Sequence, residues 1–130
     1  MSSIFSKIIS GEIPAHKIAE TEHYLAFLDI QPLRRGHVLV IPKKEVDNIF
    51  DMEDAELGGL MLFAKYVAIG LRKAVPCKKI GITVIGLEVA HAHIHLIPIQ
   101  NVEDMNFAQP KMEVSKDELA ATASLIRNCI

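Results

Sequence analysis

His91-Ala92-His93-Ile94-His95-Leu96-Ile97-Pro98-Ile99 carries half of the six histidines of the chain in nine residues. In an extended strand successive side chains alternate, so His91, His93 and His95 share one face while Ala92, Ile94 and Leu96 share the other. Neighbouring histidines then stand about 6.6 Å apart at the backbone, near enough to interact directly or through one water or phosphate oxygen. A row of imidazoles over an apolar reverse face points to shared chemistry more readily than to packing. Upstream, Ile80–Ile85 (IGITVI) reads as an antiparallel partner across the tight connection Gly86-Leu87-Glu88.

Two further strands come earlier. YLAFLDI at Tyr24–Ile30 and HVLVI at His37–Ile41 flank a turn marked by Pro32, Arg34, Arg35 and Gly36, and predict a hairpin. Ser3 can cap a short helix to Ile9, with Gly11 turning out of it. Asp51 can cap a long helix to Val75, with acids in its first turns and Arg72 and Lys73 in its last. Leu57, Leu60, Ala64, Val67, Leu71 and Val75 form one apolar stripe on that helix, while Leu62, Phe63, Tyr66 and Ile69 extend onto a second flank. An arc this wide asks for a partner beyond one sheet. The expectation is a homodimer through helix 51–75, with cover by the C-terminal segment as the alternative. Gly58-Gly59 inside the helix suggests a close backbone approach. Residues 101–110 read as irregular, and Ser115 to Glu118 is a capping box opening a last helix to about Arg127. The order predicts an α+β fold with a mostly antiparallel sheet.

Composition narrows the function classes. With 130 residues, half of them apolar, the chain suits one domain over residues 1–130. Fourteen cations against 16 acids leave no excess positive charge for generic nucleic-acid binding. The apolar run at Leu57–Ala64 stops at Lys65, too short to span a membrane. MSSIFSKIISGEIP lacks the apolar core of a secretory signal, so a cytoplasmic location is expected. Cys77 and Cys129 share no metal-ligand spacing and receive no function.

Three chemistries fit the row. A metal could take two histidines plus His37 or Glu88, because three same-face positions span about 13 Å, too far for one tetrahedral ion. One imidazole could act as a nucleophile while its neighbours orient it. A pH-sensing surface is the third.

HAHIHLI resembles the signature of the histidine-triad (HIT) superfamily of nucleotidyl hydrolases and transferases. IFSKIISGEIP at Ile4–Pro14, YLAFLDIQP at Tyr24–Pro32 and GHVLVIPKK at Gly36–Lys44 resemble the family's N-terminal half in order and spacing. The resemblance implies a five-stranded, mostly antiparallel HIT-like sheet with one long and one or two shorter helices, and sheets joined across a homodimer. It implies a purine nucleotide or nucleotide conjugate as ligand, no cofactor, and no metal. By motif position His93 would be the nucleophile that becomes transiently nucleotidylated, flanked by His91 and His95, with His37 in the same network. Asp29 would bind the ribose hydroxyls, and Ile4, Phe5, Ile8, Phe27, Leu28 and Ile30 would line the base pocket.

The segment before the row departs from the family. Commoner members have Asn, a glycine-rich stretch and Gly-Gln-Ser/Thr, whereas Thr83–Ala90 here reads TVIGLEVA and keeps only Gly86. Glu88 stands where a hydroxyl is usual. Facing the site, its charge would disfavour a polyanionic leaving group and tolerate an amine; strand phase relative to His91 would instead turn it to solvent. The expected activity is hydrolysis of a nucleoside phosphoramidate or related conjugate at the α-phosphate. Alternatives are a nucleotide-binding or regulatory dimer with little turnover, and a dinucleoside polyphosphate hydrolase.

Overall fold

The computed structural model describes residues 3–130. Ser3 caps α1 (Ile4–Ile9) by accepting from the Ser6 amide, and Gly11, at φ +84°, turns the chain away. A short strand, β1 (Lys17–Glu20), follows where residue patterning predicted none; of its four residues only Ile18 is buried, so it carries almost no hydrophobic signal. The expected hairpin is present as β2 (Tyr24–Leu28) and β3 (Val38–Pro42), paired antiparallel from Tyr24 with Pro42 to Leu28 with Val38. Gly36 in the connection has φ +87°, and a Cβ there would meet Val75, Leu71 and Pro98 at 3.1–3.2 Å. Only glycine meets both demands.

The long helix α2 spans Asp54–Ala74, starting later than expected. Asp51 does not cap it; Asp51 closes a single 3-10 turn (Ile49–Asp51) that Asn48 caps, and Glu53 takes the N-cap position without a side-chain bond. Gly59 is indeed closely approached: a Cβ would strike the Tyr24 hydroxyl, which donates to the Glu56 carbonyl at 2.9 Å. Gly58 has open space around it. Next comes β4 (Lys79–Thr83). Val84 and Ile85, expected in this strand, leave the sheet and are exposed. β5 is Ile94–Ile99, shorter than expected because His91 and His93 precede the paired region. A 3-10 turn at Val102–Met105 interrupts the segment read as irregular, and α3 (Lys116–Arg127) begins at its Ser115 cap.

The sheet order is β1-β2-β3-β5-β4, with every pair antiparallel. Pro98 lies in a strand with two neighbours, but β3 pairs only as far as Leu96, so the missing amide falls where β4 alone runs alongside. Alternation divides the sheet into two faces. Ala26, Leu28, Val38, Val40, Ile94 and Leu96 pack under α2 and α3. Leu25, Phe27, Leu39 and Ile41 pack against Phe5 and Ile8 of α1, and this second face carries the histidines.

The apolar stripe of α2 is core as expected: Leu60, Ala64, Val67, Leu71 and Val75 are buried. Its second flank divides. Phe63 stacks on Tyr24, and Gly70 is packed against Ile130 beyond α3. Leu62, Tyr66 and Ile69 stay half or more exposed. Among the described residues no helix is long and apolar enough to cross a membrane.

Candidate active site

The chain bends at His91 and runs through Ala92 and His93 into β5, and Ala92 is pinned by its amide donating to the Val46 carbonyl at 2.6 Å. The three imidazoles occupy the same face, as alternation predicted. Phe5 stands edge-on to both His91 and His93, with ring centres 5.7 and 4.9 Å away, and His93 lies 5.0 Å from His95.

Each ring's tautomer follows from its partners. His91 Nε2 faces the Pro42 carbonyl at 2.8 Å and so carries the proton; its Nδ1 accepts from the Ser3 hydroxyl at 2.8 Å. His93 Nδ1 faces the His91 carbonyl at 2.7 Å and donates to it, which leaves the Nε2 lone pair free. His37 Nδ1 accepts from the Leu33 amide at 3.0 Å, so its Nε2 donates to His95 Nδ1 at 2.9 Å. His95 therefore presents Nε2–H. Backbone atoms at the far ends of these contacts dictate one nucleophilic nitrogen and one N–H donor, side by side.

Burial keeps the supporting rings neutral. His37 is pushed down to about 3, chiefly by desolvation and then by the neighbouring His95, Lys111 and His93. His95 is pushed down to about 4 for the same reason, with His93 and Lys111 adding to it. Burial also lowers His91. Asp29 is raised by burial, against the opposing Gln31 amide and the Lys111 charge.

A cleft of about 160 Å³ opens over His93 and His95, walled by Asp29, Phe107, Lys111 and the Ile85–Glu88 loop. Asp29 uses one oxygen to accept from the Gln31 amide at 2.9 Å. Glu88 lies in a loop, where strand phase does not apply; it is exposed and borders both this cleft and the groove behind the loop. Phe5, Ile8 and Phe27, expected to line a base pocket, are buried in the core on the histidine side of the sheet and do not line this cleft. Ile4 and Ile30 are exposed. Leu28 is a correction: one residue after Phe27 in a strand, it points to the opposite face, under α2.

Two residues escaped the sequence reading. Phe107 sits edge-on to His95 at 4.7 Å and to His37 at 6.1 Å, and Lys111 donates to the Phe107 carbonyl at 3.0 Å while facing its ring. Both come from a stretch without periodicity. Arg34, read only as a turn residue, secures that stretch: its guanidinium bonds Asp104 at 2.7 Å and Gln109 at 3.2 Å. Asp104 in turn accepts from the Gln100 and Asn101 amides.

Ligand atoms of Asp29, His37 and His95 lie within 4.8 Å of one another. A cation between them would need the His37 Nε2 lone pair, which the Leu33 amide commits to a proton, and the His95 Nδ1 lone pair, which that proton occupies. The His37–His95 pair is a hydrogen-bond relay, with Asp29 3.8 Å from His37 Nε2, and the trio is not the ligand set expected from the ladder.

Three imidazoles in a row at the entry to a strand of an antiparallel sheet, with their tautomers set by the surrounding chain, make this a histidine-triad protein. The chain belongs to the HIT family, whose HIT domain profile matches residues 10–102. It is 45% identical over 106 residues to an uncharacterised HIT-like protein of Methanocaldococcus jannaschii, covering 73% of this chain and 77% of that one. It is 36% identical over 133 residues to the adenosine 5′-monophosphoramidase of Schizosaccharomyces pombe, covering 100% and 99%. The crystal structure of a Hit-like protein from Bartonella henselae has a TM-score of 0.87 at 29% identity, covering 99% of this chain and 96% of that one.

Proposed function

We propose that the chain works as one cytoplasmic domain that hydrolyses or transfers the nucleotidyl group of a purine nucleoside phosphoramidate or related conjugate. The observation that carries this is the free Nε2 of His93 over the cleft, with Nδ1–H donating to the His91 carbonyl at 2.7 Å. Attack by Nε2 forms an N–P bond and breaks the bond to the leaving nitrogen, which keeps the electron pair and takes a proton from solvent. His93 becomes a cationic nucleotidyl-imidazolium, stabilised by its Nδ1–H bond to the carbonyl. His95 Nε2–H donates to a phosphoryl oxygen and is held in that tautomer by His37. Water then attacks phosphorus and releases a proton to solvent, the N–P bond breaks, and its electrons return to Nε2. Asp29 keeps one oxygen for the ribose hydroxyls. None of these steps uses a metal or a cofactor.

Glu88 on the cleft wall favours an amine over a polyphosphate as leaving group, since a second anion there repels it. The Val84–Ala90 loop offers no hydroxyl or amide side chain to a phosphate, and that favours, as a second reading, a nucleotide-binding or regulatory dimer with little turnover. Phosphorus NMR of adenosine 5′-phosphoramidate separates the two. AMP release that falls at least about a thousandfold in His93→Ala and is indifferent to chelator is expected; saturable nucleotide binding without release would support the second reading instead.

The partner proposed for α2 is a second copy. Leu62, Tyr66 and Ile69 are exposed on α2, and Ile82 is exposed on the edge strand β4. The helix is acidic at its start and basic at its end, so a two-fold axis running the helices antiparallel would set opposite charges together. Sedimentation should give a dimer that Tyr66→Glu converts to monomer.

A further inference from the structure

We propose that Ser3, oriented by Glu45, is a positioning residue for the nucleophile His93, acting through His91. This rests on the reading of His93 as the nucleophile. The Glu45 carboxylate accepts from the Ser6 hydroxyl and from the Ser3 amide, each at 2.7 Å. The Ser3 hydroxyl has two acceptors in reach, Ser6 Oγ at 3.4 Å and His91 Nδ1 at 2.8 Å; because His91 Nε2–H is committed to the Pro42 carbonyl, the shorter contact to Nδ1 takes the Ser3 proton. The same Ser3 oxygen accepts from the Ser6 amide at 3.0 Å and so caps α1. One atom thus ends the helix and anchors the ring.

His91 is then held at both nitrogens, by Ser3 and by the Pro42 carbonyl at 2.8 Å. Its ring has no freedom left, and its own carbonyl is the acceptor that fixes His93 Nδ1. Phe5, two residues after Ser3, closes the assembly by standing edge-on to both rings. Glu45 itself is held at about 2 by the Ser3 amide and the Ser6 hydroxyl, so it stays an acceptor across the working range. The N-terminal helix is therefore a clamp on the histidine row, and the aim of the nucleophile depends on a residue 90 positions before it. Small misplacements of a reacting group are costly, with about 1 Å reaching about a hundredfold.

The test uses the full chain with nitrogen-15 histidine in wild type, Ser3→Thr, Ser3→Asp and Ser3→Ala. Aspartate caps helices well but cannot donate, so it keeps the structural role and removes the proposed one. In wild type and Ser3→Thr, His91 Nδ1 should give the signal of an unprotonated acceptor and His93 that of an Nδ1–H tautomer. In Ser3→Asp and Ser3→Ala the His91 signal should move, with kcat for the phosphoramidate down about tenfold and KM little changed. Ser3→Asp matching wild type in both signal and kcat, with Ser3→Ala losing only thermal stability, would reduce Ser3 to a helix cap and overturn the proposal. Turnover that survives His93→Ala would instead condemn the nucleophile reading, and the His91 signals, which do not depend on turnover, tell the two failures apart.

Discussion

The two walls of the cleft are built differently. Phe107 and Lys111 belong to a segment that Arg34, Asp104 and Gln109 tie to the β2–β3 connection, and the Met112 amide closes it on the Pro32 carbonyl at 2.8 Å. Opposite, Ile85–Glu88 has no side-chain hydrogen bond among the described residues, and Leu87 is 90% exposed. Behind that loop lies a broader groove of about 860 Å³, which Phe50, Met61 and Val84 also line. The tied wall holds the aromatic ring against His37 and His95, where small shifts disturb the relay. The untied wall carries the departure from the family resemblance, in residues that are largely exposed. In the proposed function the tied wall supports the histidine relay and the untied wall bears on the leaving group.

Breaking the tied wall should have the largest effect. Arg34→Ala leaves Asp104 buried without its cation and unpins Phe107, so a loss of about 2 kcal/mol in urea unfolding and about tenfold in kcat is expected; a variant with normal turnover would show the tie to be dispensable. Proton uptake gives a smaller effect on the same side. His37 and His95 titrate far below the usual 6.5 when folded, so the unfolded chain binds protons that the folded chain refuses. Stability should therefore be complete above about pH 6.5 and fall as pH drops toward 4, by at most about 1.4 kcal/mol per unit for each ring. Denaturation series at several pH values check this, and His37→Asn should flatten the slope. On the untied wall Glu88→Ser should change stability by under about 0.5 kcal/mol. It should raise activity on a dinucleoside polyphosphate relative to a phosphoramidate a few-fold. An unchanged ratio would remove Glu88 from substrate choice.

Much of this was legible in residues alone. Alternation in HAHIHLI placed three imidazoles on one face, and the β2–β3 hairpin followed from two apolar runs around Gly36. The fifth strand came only with the family resemblance, since β1 buries one side chain and presents an edge. Asp51 looked like a cap because it is a capping residue type just before the apolar periodic run, but it ends a 3-10 turn that Asn48 caps, and α2 begins three residues later. Phe27 and Leu28 were placed together where strand geometry separates them. Phe107, Lys111 and the Ser3–His91 contact were out of reach for another reason: they depend on segments brought together across 12 to 88 positions, with no periodicity to mark them.

The sheet order also bears on how the chain is made. On a ribosome β3 emerges by residue 42, but its second neighbour, β5, is complete only at residue 99. At about 5–20 residues per second, the edge of β3 waits several seconds unpaired. During that interval His37 has no His95 to meet, and the nascent protein exposes an apolar strand edge before it owns a reactive imidazole. Synthesis therefore puts the aggregation hazard first and the chemistry last.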